Sequence, residues 1–255
     1  MILKTDCKLF PGDRPCVPNK TQGIKCDNCN YYEPVNFKIL IIKLDAIGDV
    51  LRTTSILHSL KEKYPSAHIT WLTKKNAKEI FNNNNFVDRV LLYEEPGTIL
   101  KLETEEFDLL IHPDASPASS PLAAKVNAKQ KKGYISDKLG KVIPVDEDAV
   151  EWLEMGAFDE FKKKNIKTYQ QIIHEIAGMN FNGGEIIINL SDNEKSFAQK
   201  FYDENNNFLF EIKDMKESSL ILDKTNFYHA GWFKFELFAD DKLKEKNKFY
   251  IEKEF

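Results

Sequence analysis

The chain has 255 residues, 42% hydrophobic, 12% aromatic and 30% charged, which matches folded globular proteins and excludes disordered and collagenous classes. Lys and Arg total 36 against 40 Asp and Glu, giving a net charge of −4 and a pI near 5.8, so no basic field recruits nucleic acid and none is expected as a partner. The most apolar run, Phe37 to Leu44, contains Lys38 and Lys43 and falls well short of the roughly 20 residues that cross a bilayer. The opening Met-Ile-Leu-Lys-Thr-Asp lacks the basic and apolar regions of a secretory signal, so a cytoplasmic protein is expected, with peripheral association at the inner face of the membrane left open.

All four cysteines, Cys7, Cys16, Cys26 and Cys29, lie in the first 29 positions, and four of the ten prolines fall by Pro34. Little helical or alternating periodicity accompanies them, which predicts a small loop-rich knuckle over residues 1–36. The spacing is C-x8-C-x9-C-x2-C, of which the last pair is a standard metal knuckle. Disulfides are disfavoured in a reducing cytosol, whereas four thiolates would complete a closed, structural zinc site. Free thiols and an iron–sulfur cluster are the alternatives.

Phe37 to Leu44 predicts a first strand covered on both faces. After the turn Asp45-Ala-Ile-Gly-Asp49, the residues Val50, Thr54, Leu57, Leu60 and Tyr64 share one helical face up to Pro65. Strands are predicted over His68 to Thr73, Asp88 to Tyr93 and Phe107 to Ile111, with a short helix over Asn76 to Phe81. This alternation implies right-handed crossovers and an α/β, Rossmann-like parallel sheet flanked by helices, spanning residues 37–190. An acidic helix is expected between Asp146 and Phe161, with Gly156 near its end. A second helix carries a Thr168/Gln171 capping box, an apolar stripe of Tyr169, Ile172, Ile173 and Ile176, and Gly178 as its stop. Lys129 to Lys132 reads as a solvated loop. Residues 191–255 have no proline and one glycine, Gly231, and their fold is left unassigned.

The chemistry-bearing segment is the turn from Lys43 to Thr54, because active sites of open α/β sheets gather at the carboxyl ends of strands. Gly48 permits a tight turn or a close substrate approach. Asp49 stands at the helix start, where the dipole favours its ionised form; the ordinary alternative for it is an N-cap. The turn is not the G-x-G-x-x-G fingerprint, so it gives no support for a dinucleotide.

The stretch from Lys38 to Leu57 closely resembles the opening of the heptosyltransferase-like glycosyltransferases, family nine, which adopt the two-domain GT-B fold. Leu60 to Pro65 with Ile69 to Leu72, Val87 to Val90, Phe107 to Ile111 with Asp114, Ala123 to Lys129, and Lys132 to Tyr134 are similar to later segments of that family. The cysteine-bearing preface and Lys167 to Gln170 look like a recurring subgroup. The resemblance implies the amino-terminal, acceptor-binding domain of an inverting enzyme. Its donor is a nucleotide-diphosphate sugar, commonly ADP-heptose, and its acceptor a glycan or lipid-linked sugar hydroxyl, as in lipopolysaccharide biosynthesis. It places the catalytic base on Asp49 and acceptor contacts on Asp45, Gly48, Arg52, Thr53 and Asp114. His112 departs from the usual pattern and is read as structural.

No glycine-rich turn or Asp-x-Gly-Pro-x-His donor pattern follows residue 190, so a truncated or divergent tail is expected in place of a donor domain. The rival expectation is a non-catalytic sugar-binding or scaffold protein.

Overall fold

The computed structural model describes residues 3–190, 231–239 and 242–251. The chain divides into two compact units, residues 1–189 and 190–255. In the second, the strands β7 (Gly231–Ala239) and β8 (Lys242–Ile251) pair as an antiparallel hairpin. The rest of the unassigned tail lies outside the described residues.

The first unit is built on a six-stranded sheet of β1 (Lys38–Ile42), β2 (His68–Thr73), β3 (Arg89–Leu92), β4 (Glu106–His112), β5 (Asn127–Ser136) and β6 (Val142–Pro144). Their order is β3-β2-β1-β4-β5-β6, parallel except at β6. The near-continuous apolarity of β1 has the two-sided burial it implies. Ile39 and Ile41 enter one core with Leu57 and Leu60, while Leu40 and Ile42 enter the opposite one with Leu102 and Leu122. Winding leaves β1 in one direction towards β2 and β3, and in the other towards β4 and β5. The carboxyl ends of β1 and β4 therefore meet at the switch point of the sheet.

The single helix predicted after β1 is two: α2 (Ile47–Thr53) and α3 (Ile56–Lys63). Between them the backbone tightens into three-residue bonds from Thr54 N–H to Leu51 O and from Ser55 N–H to Arg52 O. The Thr54 hydroxyl donates to Leu51 O at 2.7 Å and accepts from the Ile187 amide at 2.8 Å. Such local side-chain bonding competes with the regular helix ladder. The short helix before β3 is a 3-10 helix over Lys75–Phe81.

The sequence did not predict α4 (Thr98–Thr104), α5 (Ser120–Lys125), β5 or β6. Lys129 to Lys132 is not a loop but part of β5, because each ammonium group has a designated partner. Lys129 pairs with Asp108 at 2.7 Å and Lys132 with Asp146 and Asp148 at 2.6 and 2.7 Å. Lys131 donates to Ala123 O and Ala124 O, the last carbonyls of α5. The acidic helix resolves into a 3-10 turn at Glu147–Ala149 and two helices, α6 (Val150–Ala157) and α7 (Asp159–Lys164). Its expected end near Gly156 is where α6 stops. A new start follows at Phe158, since Asp159 and Glu160 suit the first turn of α7 and Lys162 to Lys164 its last.

The last helix of this unit, α8 (Tyr169–Ile176), carries both bonds of the capping box. It ends with Gly178 at φ +66° and bonds from Met179 N–H to His174 O and from Gly178 N–H to Glu175 O, the pattern of a Schellman motif. Its stripe of Ile172, Ile173 and Ile176 is buried in the same core as α3.

Candidate active site

The end of β1 delivers a lysine into the protein. Lys43 is only 3% exposed, and its Nζ donates to Asp45 O at 2.6 Å and, in a short contact, to the Asp114 carboxylate just past β4. Asp114 is 16% exposed. The ion pair thus clasps the two strand ends on either side of the switch point. Removing one partner of a buried pair strands the other charge without a counterion. We expect Lys43→Met to destabilise this unit by about 2–4 kcal/mol, read as a lower urea midpoint; an unchanged midpoint would show that Asp114 needs no partner.

Asp49 sits in the first turn of α2 and is 34% exposed. It is not the N-cap: that position is Ala46, and no side chain caps the helix. The Asp49 Oδ1 accepts a short hydrogen bond from Arg52, one turn on. Its Oδ2 lies 4.0 Å from Lys43 Nζ, beyond hydrogen-bond reach. One carboxylate oxygen is therefore held in place, and the other keeps a lone pair for an incoming donor.

The exposed Asp45 pairs with Lys74, which follows β2. Gly48 is exposed, and a Cβ built on it would meet no atom within 4 Å, so the space over this turn is open. Arg52 lies over the Tyr169 ring, its Cζ 4.1 Å from the centroid. Thr53 is placed differently from its neighbours. It is fully buried, its hydroxyl donates to Asp49 O at 2.7 Å, and it lies 3.2 Å from the Tyr169 hydroxyl. It braces α2 from within. Burial pushes the Tyr169 phenol well above its ordinary value, assisted by the Asp49 and Asp114 charges, so it stays protonated. The capping box fixes the start of α8 and with it the Tyr169 ring that supports Arg52.

The structure therefore brings together Asp45, Asp49, Arg52 and Asp114 around Lys43, and adds Lys74 and Tyr169. Lys43, Lys74 and Tyr169 were not among the site residues expected from the sequence. A cation at the end of an otherwise apolar strand signals Lys43, because a buried ammonium needs a counterion. Nothing local signals Tyr169.

Behind the site, His112 ends β4 fully buried. Its Nδ1 faces Tyr134 O at 2.6 Å and its Nε2 faces Ser119 Oγ at 2.8 Å. A carbonyl only accepts, so Nδ1 carries the proton and Nε2 accepts from the serine. Burial holds its pKa below the ordinary histidine value, and the same is true of His68 and His174. The unfolded chain takes up these protons more readily, so their contribution to stability is complete above about pH 6.5 and declines as pH falls through the depressed values. At Asp88 and Glu105 burial pushes the carboxyl up, but Lys8 beside Asp88 and Arg89 beside Glu105 outweigh it and hold both below the usual carboxylate range. Their contribution has the same sign and is lost at lower pH. We expect the urea midpoint to drop between pH 7.5 and pH 5; a flat profile would contradict the neutral, buried state of His112.

The four cysteines are free thiols, each half-buried, and all line one hollow of about 420 Å³. Among the described residues no three His, Cys, Asp or Glu side chains are gathered closely enough to hold a metal ion, and no helix is long and apolar enough to cross a membrane.

No protein-family model matches the chain, and no curated protein does. Solved structures do. A glycosyl transferase of family 9 from Veillonella parvula shares 20% identity at a TM-score of 0.47, over 67% of this chain and 50% of that one. The E. coli heptosyltransferase WaaC, solved with ADP, shares 16% at 0.39, over 66% and 54%. The E. coli ADP-heptose lipopolysaccharide heptosyltransferase II shares 18% at 0.40, over 66% and 51%. This chain spans about half the length of these structures. At low identity and over about two thirds of its own length, the chain is similar to these glycosyltransferase structures, and its own sheet is six-stranded and mostly parallel.

Proposed function

We infer that this chain is the acceptor-side domain of an inverting glycosyltransferase and that Asp49 is its general base. The observation that carries this reading is the carboxylate cluster at the β1/β4 switch point, where Asp49 keeps one oxygen unclaimed beside an open turn. The sequence resemblance of the strand-to-helix segment supports it.

In the reaction, the acceptor hydroxyl oxygen attacks the anomeric carbon of a nucleotide-diphosphate sugar. A C–O bond forms on one face as the bond to the diphosphate oxygen breaks on the other, inverting the centre, and the hydroxyl proton passes to the Asp49 carboxylate. An oxocarbenium-like transition state is expected by analogy with glycoside hydrolysis. Arg52, stacked on Tyr169, aims the carboxylate by holding Oδ1 and leaving Oδ2 to the proton. The Lys43–Asp114 clasp fixes the floor of the site. Asp45 and Lys74, both partly open to solvent, are placed to bind acceptor hydroxyl or acidic groups. The groups that bind the donor diphosphate lie outside this cluster. The acceptor is a glycan or lipid-linked sugar met in the cytoplasm at the membrane face, and the donor is of the ADP-heptose class.

The test is an amide-resolved NMR titration of the whole chain with an anionic inner-core oligosaccharide. Shifts confined to residues 45–53 and Asp114 are expected; no shifts, or shifts only elsewhere, would overturn the assignment of an acceptor site.

A further inference from the structure

Residues 3–36 have almost no core. The helix α1 (Val17–Gln22), a 3-10 turn at Cys26–Asn28 and connecting loops make up the segment, and Pro18 is its only buried residue. Its ends are tied to each other by a bridge from Cys7 to Pro34 and by bonds from Lys8 N–H to Glu33 O and from Val35 N–H to Asp6 O, each 2.8 Å. Between these ties, ordering each residue costs about 1–2 kcal/mol of backbone entropy, and hardly any apolar burial offsets it. Segments of this kind hold their shape through covalent or metal staples.

The centre of the segment is the 420 Å³ hollow, and three separate stretches of chain present their thiols to it. Cys7 comes from the bridge, Cys16 from the position just before α1, and Cys26 and Cys29 from the two ends of the 3-10 turn. The same wall carries Lys4, Arg14 and Lys25 against one carboxylate, Asp13. A zinc ion with four thiolates carries a net charge of −2, which these neighbouring cations complement.

We propose that Cys7, Cys16, Cys26 and Cys29 form a structural zinc site, an open frame that closes on the ion to bring each sulfur to about 2.3 Å from the metal. Four thiolates fill a tetrahedral shell and leave no position for substrate, so the metal organises the segment and takes no part in transfer. The proposal is independent of the glycosyltransferase reading. What zinc stabilises is the seat of the segment on the sheet, where Lys8 pairs with Asp88 at 2.8 Å just before β3.

The test is made on the full chain, purified under reducing conditions and dialysed. Elemental analysis is expected to give one zinc per folded chain. Before chelation the four thiols should resist a thiol-reactive dye, and after it they should react while the amides of Lys8, Gly23 and Val35 lose their hydrogen-exchange protection. A chain with Cys26→Ser and Cys29→Ser should lose at least nine tenths of its zinc and keep the protection of β1 and β4. The proposal is overturned by a folded segment without zinc whose amide protection survives chelation, by bound iron with a visible absorption band, or by full zinc content in the double variant.

Discussion

Asp49→Asn is expected to slow sugar transfer by about 10²–10⁴-fold, the range of a lost general base. Asparagine keeps the size of the side chain and an oxygen for Arg52 to donate to, so the Arg52–Tyr169 stack and the start of α2 should persist. What it removes is the oxygen able to take a proton. Donor affinity should stay nearly unchanged, because the groups proposed to bind the diphosphate lie elsewhere, so the loss should fall on the rate of transfer rather than on donor binding. Single-turnover transfer from a nucleotide-diphosphate sugar to an oligosaccharide, compared between the two chains, measures it. A matching thermal melt separates loss of a base from loss of fold. Equal rates would remove Asp49 as the base, and no transfer by the parent chain at millimolar donor would favour the non-catalytic sugar-binding alternative.

The second large effect concerns Gly133 in β5, whose backbone passes directly against the end of β4. A Cβ at this position would lie 2.0 Å from His112 O and 2.6 Å from its carbonyl carbon, and φ is +94°. Both contacts are to backbone, so no side chain can swing away. Relief requires the β4–β5 pairing to part, where Gly133 faces His112 in register and Tyr134 O bonds the His112 ring. We expect Gly133→Ala to cost about 4 kcal/mol or more, with a fall in thermal midpoint and faster exchange of the β4 and β5 amides. A midpoint unchanged by the substitution would show that this junction is not close-packed. Asp114 lies two residues beyond His112, so the same variant should also weaken oligosaccharide binding.

Much of the frame was legible along the chain because its signals are local. The run from Phe37 to Leu44, the stripe of α8 and its capping box each depend on neighbours within a few residues, and each is found in the structure. The break between α2 and α3 was not legible, since the partner that Thr54 accepts from, Ile187, is 133 positions away. The lysines of β5 hid a strand for a related reason: alternation is masked when charged stems lie along the sheet and their partners come from β4, α5 and the loop before α6. At the site, the turn holding Asp49 stood out because it follows the first strand, and the family resemblance singled out Asp49 within it. Lys43 is marked along the chain as a cation ending an apolar strand, but its partner is not, because Asp114 is 71 positions away and is brought beside it only by the pairing of β1 with β4.

The most direct measurement is a crystal structure of the chain with an acceptor oligosaccharide bound. A base at Asp49 requires an acceptor hydroxyl within about 2.6–3.2 Å of its carboxylate, with Arg52 still on Oδ1 and the sugar resting over Gly48. An oligosaccharide seated elsewhere on the chain, or lying over this turn with every hydroxyl directed away from Asp49, would contradict it.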